Sequence, residues 1–187
     1  GIESAAREAR VILATALGVG QDRVSLMQPD TMPHDSEDRL ETMTARRCGR
    51  EPLSHILGLK AFYEHEFLVT GDVLDPRPET EVLVRAALAV PFETVLDLGT
   101  GSGCILLSLL AAREGAKGVG VDASNGALSV ARQNAERLAL QDRVGWQMSD
   151  WFEKVSGWFD LIVSNPPYVA KADMATLEAE LAYEPRM

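Results

Sequence analysis

The chain has 187 residues, of which 46% are hydrophobic and 25% are charged, and this composition is typical of a globular protein with a sizeable core. Because no apolar run reaches 18 residues and no basic stretch precedes an apolar N-terminal segment, the sequence predicts neither a membrane span nor a signal peptide. The net charge of −10 disfavours a protein that binds duplex nucleic acid, which needs a basic surface. Cys48, Cys104 and the three histidines lack the spacing of disulfide or metal sites, so we expect no metal and a cytoplasmic protein.

The N-terminal third reads as helical. Apolar residues recur at helical spacing over residues 2–17, and a more polar helix is predicted over residues 35–47. A third, short helix begins near Pro52 and stops at Gly58. Residues 1–58 therefore form a predicted small helical domain.

A change of period follows that domain. In "AFYEHEFLVT", residues 61–70, aromatic and aliphatic side chains alternate as in a strand. Gly71 and Asp72 then give a turn signal, and Val73 could begin a return strand. The pattern predicts a β-hairpin linker over residues 59–78.

The remainder, residues 79–187, alternates strands with helices. A helix over residues 81–89, with Thr80 as its N-cap, leads into this region. The predicted strands cover residues 94–98, 119–121, 144–148 and 161–164, and the predicted helices between them cover residues 102–113 and 125–140. Such alternation indicates an α/β fold with a parallel sheet. In a doubly wound sheet of order 3-2-1-4, ligands bind where the connections diverge, at the carboxyl ends of the first and fourth strands.

A glycine-rich turn, "DLGTGSG", follows the first of these strands. Gly99, Gly101 and Gly103 let the backbone turn tightly and approach a ligand closely, although a purely structural turn would also explain them. The third glycine of a dinucleotide fingerprint would fall at position 104, where Cys104 stands, so a pyrophosphate cofactor is less favoured.

The next two strands also end in residues that suit a ligand. Asp122 lies about twenty residues after the glycine turn, where a carboxylate can accept from both ribose hydroxyls, or could instead cap a helix. Asp150 and Trp151 end the third strand and could bind and cover an adenine ring, unless Trp151 is a core residue.

The fourth strand ends in "NPPY", residues 165–168. Transfer of a methyl group from a sulfonium to an amide or aryl amine nitrogen requires acceptors for the two N–H groups, because the nitrogen lone pair is delocalised. Asn165 offers a side-chain carbonyl, Pro166 offers a backbone carbonyl, and Tyr168 offers a flat face for a planar group. The prolines stiffen the segment, although a rigid turn alone would also explain them.

Taken together, "DLGTGSG", Asp122, "SDW" and "NPPYV" resemble class I S-adenosylmethionine-dependent methyltransferases. The upstream "EPLSHILGLKAFYEHEFLVTGDVLDPRPETE" and the helical domain are similar to the HemK/PrmC family, which methylates glutamine N5 in peptide chain release factors. The resemblance covers essentially the whole chain. It implies a Rossmann-like methyltransferase domain over residues 79–187, with a release factor docked by the helical domain. We also expect a monomer that engages neither a membrane nor duplex nucleic acid.

The resemblance also implies roles for individual residues. The expected cofactor is S-adenosylmethionine, and its product is S-adenosylhomocysteine. The residues expected to contact the methionine part of the cofactor are Gly99, Thr100, Gly101, Ser102 and Gly103. Asp122 would hold the ribose, and Asp150 and Trp151 would contact the adenine. Those expected to bind the glutamine of the Gly-Gly-Gln loop are Asn165, Pro166, Pro167 and Tyr168, with Asn165 also bordering the cofactor. Arg77 and Glu79 lie in a family-like segment near the cleft.

Two features depart from the family pattern. Asp75 stands where the family has an apolar residue. The chain stops at Met187, whereas the family's sheet continues with further strands, so we expect a C-terminally incomplete domain. A molecule that ended there would show weak or no methyl transfer.

Two other functions remain open from the sequence. "NPPY" also fits adenine-N6 methyltransferases of DNA or RNA, although the cluster Arg46, Arg47 and Arg50 is a meagre basic surface. A non-catalytic cofactor-binding or interaction module would fit an incomplete domain.

Overall fold

The computed structural model describes residues 2, 4–26 and 33–166. The chain divides into two compact units, residues 1–57 and residues 58–187. Within the described ranges, none of the helices has both the length and the apolar character needed to cross a membrane.

The first unit is helical, and its helices are α1 (Ala5–Leu17), α2 (Gln21–Val24), α3 (His34–Cys48) and α4 (Leu53–Leu57). The three predicted helices are confirmed, and α2 is an additional short helix that the apolar pattern of the sequence did not predict. An ion pair links α3 to α1, since Arg47 Nε lies 2.6 Å from Glu8 Oε2. Arg46 pairs with Glu51 in the same unit, with 2.8 Å between Arg46 Nε and Glu51 Oε2.

A β-hairpin opens the second unit. Strands β1 (Leu59–Phe62) and β2 (His65–Leu68) pair antiparallel, with Leu59 opposite Leu68. Gly71 and Asp72 do form a turn, with Val73 N donating to the Thr70 carbonyl at 3.2 Å. That turn does not close the hairpin, and the predicted return strand at Val73 is wrong, because the chain already reverses at Tyr63-Glu64.

The physical reason is an unusual backbone conformation. Tyr63 has a φ of +55°, a left-handed conformation that normally selects glycine or asparagine. Its backbone N–H donates to Glu81 Oε1 at 3.1 Å, and its ring packs on a core that includes Phe62 and Phe67. These contacts stabilise the left-handed turn even though it contains neither glycine nor asparagine.

The rest of the second unit is a parallel α/β sheet. After a short 3-10 turn over Pro78–Thr80, its elements are α5 (Glu81–Leu88), β3 (Thr94–Leu98), α6 (Cys104–Ala112), β4 (Lys117–Asp122), α7 (Asn125–Arg137), β5 (Val144–Met148) and β6 (Leu161–Ser164). The strand order is β5-β4-β3-β6 with all pairs parallel, which confirms the order 3-2-1-4. Helix α6 is buried along most of its length, as expected of a helix that covers the centre of a sheet.

The sheet register aligns the ends of the strands. Leu98 lies opposite Val121 on one side and Ser164 on the other, and Asp122 lies opposite Met148. All four strands therefore deliver their following loops to the same edge of the sheet. Helix α7 is three residues shorter than predicted, since it ends at Arg137 and Ala139 takes a φ of +55°.

Candidate functional site

The loops at the carboxyl edge of the sheet surround one cavity of about 560 Å³. Of the residues that the sequence singled out, those lining the cavity are Gly99, Thr100, Gly101, Ser102, Asp122, Asp150, Trp151, Asn165 and Pro166. Gly103 does not line it, and Pro167 and Tyr168 lie outside the described residues. Four strand ends thus bring the predicted residues together around a volume that suits a cofactor-sized ligand.

The glycine turn presents backbone rather than side chains to the cavity. Gly99 and Gly101 have φ values of +69° and +55°, which an L side chain rarely adopts. A Cβ built on either would meet nothing within 4 Å, so their surroundings leave open space where a ligand could lie against the backbone. Gly103 serves packing instead, because a Cβ there would lie 3.1 Å from the Trp146 ring and 3.3 Å from Ala131.

Asp122 is tied to the glycine turn. Its Oδ2 accepts from Gly101 N at 2.9 Å, and its Oδ1 accepts from Ser124 N at 2.9 Å. The N-cap of α7 is Ser124, whose hydroxyl accepts from Ala127 N at 3.2 Å. Because Ser124 caps the helix and each carboxylate oxygen has two lone pairs, Asp122 keeps acceptor capacity toward the cavity.

Asp150 and Trp151 follow β5 at the same edge. Ser149 N donates to the Asp122 carbonyl at 3.1 Å, which fixes where this loop leaves the sheet. Trp151 has a φ of +45° and is 49% exposed, so it is not a core residue. Its ring is available as a flat wall of the cavity.

Asp97 supports the glycine turn from below and was not among the predicted site residues. It is fully buried in β3, and its Oδ2 accepts from Thr100 Oγ1 at 2.7 Å. Burial raises the pKa of its carboxyl to about 7, against the lowering effect of the Thr100 hydrogen bond. The signal for it in the sequence is a carboxylate inside the apolar run "VLDLG".

Asn165 is held at two points. The preceding residue is anchored because Ser164 Oγ donates to the Leu98 carbonyl at 2.8 Å. The Asn165 side chain donates from Nδ2 to Thr80 Oγ1 at 3.3 Å. Thr80 occupies the N-cap position of α5, as predicted, but its φ of −69° and ψ of −18° are already helical and its hydroxyl makes no capping hydrogen bond.

The segment before α5 adds charge to the cavity. Asp72, Asp75, Arg77 and Thr80 line it, and Glu79 does not. Asp75 is 4% exposed and its Oδ2 lies 3.0 Å from Lys60 Nζ, which accounts for a carboxylate where the family has an apolar residue. The lining includes Asp72, Asp75, Asp122, Asp150 and one arginine, so the cavity favours a ligand with positive charge.

Cys104 also lines the cavity but is unsuited to nucleophilic chemistry. Burial raises the pKa of its thiol to about 12, so it stays protonated at neutral pH. Among residues 2, 4–26 and 33–166, no group of three or more histidine, cysteine or acidic side chains could hold a metal ion.

Comparison with protein families divides the chain in two. Residues 1–58 match the family model described as the PrmC N-terminal domain, and residues 70–182 match the one described as the methyltransferase small domain.

The curated relatives that match the chain include two that are named "Release factor glutamine methyltransferase". The one from Cereibacter sphaeroides is 48% identical over 100% of this chain and 68% of its own length. The one from Rhodospirillum rubrum is 47% identical over 97% of this chain and 57% of its own length. The chain thus spans between about half and two thirds of the length of these relatives.

Among solved structures, the tRNA (uracil-54, C5)-methyltransferase of Pyrococcus abyssi, determined with S-adenosyl-L-homocysteine, matches with a TM-score of 0.50 and 21% identity. The match covers 58% of this chain and 28% of that one, and it shows a shared fold.

Proposed function

The chain belongs to the HemK/PrmC family of release factor glutamine methyltransferases, and from this premise we propose that it transfers a methyl group from S-adenosylmethionine to the glutamine N5 of a release factor's Gly-Gly-Gln motif. One observation carries the proposal beyond the family: a single cavity joins the glycine turn and Asp122 to Asn165 and Pro166. In this proposal the methyl donor and the planar amide would lie along one wall of that cavity.

The described residues fit the cofactor. The open left-handed glycines at 99 and 101 would lie against its methionine part, and Asp122 has lone pairs for ribose hydroxyls. Asp150 and the exposed Trp151 would bind the adenine. When bound, S-adenosylmethionine supplies an electrophilic methyl group on a sulfonium, and the acidic lining favours that positive charge.

Asn165 and Pro166 would hold the glutamine side chain. Asn165 Oδ1 and the Pro166 carbonyl would each accept one N–H of the substrate amide, which aims the nitrogen lone pair at the methyl donor. These acceptors become more valuable as positive charge builds on the nitrogen, so they favour the transition state over the ground state. The role assigned to Tyr168 stays a prediction, because that residue lies outside the described residues.

Adenine methylation in nucleic acid finds less support. Two of the three clustered arginines are engaged inside the first unit, Arg46 with Glu51 and Arg47 with Glu8. An arginine that is already in an ion pair contributes less positive charge for binding the phosphates of a nucleic acid.

Methyl transfer from S-adenosylmethionine labelled in its methyl group tests the proposal. The protein, as its gene encodes it and with its intact mass verified, is incubated in parallel with a release factor, duplex DNA and RNA. We expect label in the release factor alone. Label in nucleic acid would support the adenine alternative, and no label anywhere would support a non-catalytic module.

A further inference from the structure

Thr80 is a residue whose side chain has no evident use in its own helix. It ends the 3-10 turn Pro78–Thr80 and directly precedes α5, the position where a threonine hydroxyl usually accepts from a backbone N–H of the first helical turn. Such a cap requires an extended backbone at the threonine, and Thr80 is helical instead. Its hydroxyl is thereby free to face the cavity that Thr80 lines.

The partner of this hydroxyl lies 85 residues away in the sequence. Asn165 Nδ2 donates to Thr80 Oγ1 at 3.3 Å. Asn165 leaves the end of β6 at a place fixed by the 2.8 Å hydrogen bond from Ser164 Oγ to the Leu98 carbonyl. With the backbone fixed on one side and the carboxamide bonded to Thr80 on the other, the Asn165 side chain is held at both ends.

The bond to Thr80 uses one branch of the carboxamide and leaves the other branch for the substrate. A carboxamide carries its donor and its acceptor on nearly identical branches, so a half-turn exchanges them at little steric cost. With Nδ2 directed at Thr80, Oδ1 occupies the other branch as an acceptor, and in the described part of the chain no donor bonds to it. A hydroxyl can donate as well as accept, so Thr80 can bond to either branch, and the substrate N–H would select the state in which Oδ1 faces it and Thr80 accepts from Nδ2.

We propose that Thr80 is a positioning residue that holds the Asn165 carboxamide in place by accepting from Nδ2 while Oδ1 accepts from the substrate amide. This inference rests on the proposed function, because it presumes that Asn165 accepts from an amide N–H. Thr80 needs no contact with substrate or cofactor to act in this way.

The matched variants are Thr80→Val, which keeps the shape and removes the hydroxyl, and Thr80→Ser, which keeps the hydroxyl and removes a methyl group. We expect Thr80→Val to lower kcat by about 5- to 10-fold, the equivalent of one net hydrogen bond. Binding of S-adenosylhomocysteine, measured by calorimetry, should change less than about twofold, and Thr80→Ser should restore most of the rate. An unchanged kcat in Thr80→Val, an equal loss in both variants, or a matching loss of S-adenosylhomocysteine affinity overturns the proposal.

A second readout needs no turnover. The side-chain ¹⁵N–¹H₂ resonances of Asn165, assigned by their disappearance in Asn165→Ala, report the hydrogen bond of Nδ2 directly. They should shift in Thr80→Val and stay close to their original positions in Thr80→Ser. If the wild-type protein transfers no methyl group, the proposed function is refuted. If the chemical shifts of the Asn165 side-chain resonances do not change in Thr80→Val, the positioning role is refuted. The two failures are therefore distinguishable.

Discussion

Asn134 of α7 links three parts of the second unit, and its replacement by alanine should be strongly destabilising. Its side chain is 1% exposed; Oδ1 accepts from Leu68 N at 2.6 Å, and Nδ2 donates to the Leu68 and Ser102 carbonyls at 3.0 and 2.9 Å. Successive residues of a strand direct their backbone groups to alternate edges, so those of Leu68 point away from β1 and meet Asn134 instead. One side chain thus satisfies the outer edge of the hairpin and the glycine turn.

The expected loss follows from these three hydrogen bonds. At a net value of about 1 kcal/mol each, Asn134→Ala should lower the free energy of unfolding by about 3 kcal/mol. The upper end is about 5 kcal/mol if the Leu68 and Ser102 groups stay shielded from water and unpaired.

Urea denaturation followed by tryptophan fluorescence measures this loss, because all three tryptophans, at positions 146, 151 and 158, lie in the second unit. The control is Gln133→Ala, one residue earlier on the same helix, whose exposed side chain makes a single 3.3 Å hydrogen bond to its own helix. That control should change the free energy of unfolding by less than about 0.5 kcal/mol. Equal effects of the two substitutions would refute the account of Asn134 as a buried link.

Two other perturbations test the packing beneath the cavity. The pKa of Asp97 is raised from 3.8 to about 7 in the native protein, so the stabilising effect of this carboxyl is complete below about pH 4 and is lost as the pH rises through 7. In urea titrations, Asp97→Asn should therefore gain stability relative to the wild type between pH 4 and pH 8. A stability difference that does not change with pH would contradict the raised pKa. A Cβ at Gly120 would clash with the Trp146 ring, whereas a Cβ at Gly145 would lie 3.8 Å from Val119. Thermal denaturation should therefore show that Gly120→Ala is destabilised by about 1–3 kcal/mol and that Gly145→Ala is destabilised much less. Similar losses in the two variants would contradict the close packing of Trp146 on Gly120.

The parts of the fold that the sequence predicted are those with local signals. Alternating strand and helix periods and the glycine turn gave the sheet order, because each strand–helix unit is encoded within a short window. Asp122 was singled out because it ends a strand at a known distance from the glycine turn, and it lines the cavity with that turn.

The parts that the sequence did not predict depend on distant partners. The hairpin turns at Tyr63, whose left-handed backbone is held by Glu81 and by core packing rather than by a turn residue. Asn134 reads as one polar position on an amphipathic helix, and nothing local shows that it bonds to a strand 66 residues away. Thr80 fits the rule for a helix cap, and only the position of β6 reveals that its hydroxyl meets Asn165.

The central claim is that Asn165 takes part in methylating a glutamine amide, and mass spectrometry of the treated release factor tests it most directly. We expect the peptide containing Gly-Gly-Gln to gain the mass of one methylene group, with fragment ions that place it on the glutamine side chain. Asn165→Ala should reduce the rate of this gain by about 10²-fold or more while binding of S-adenosylhomocysteine is largely retained. A methyl group on any other residue, or a wild-type rate in Asn165→Ala, would contradict the account.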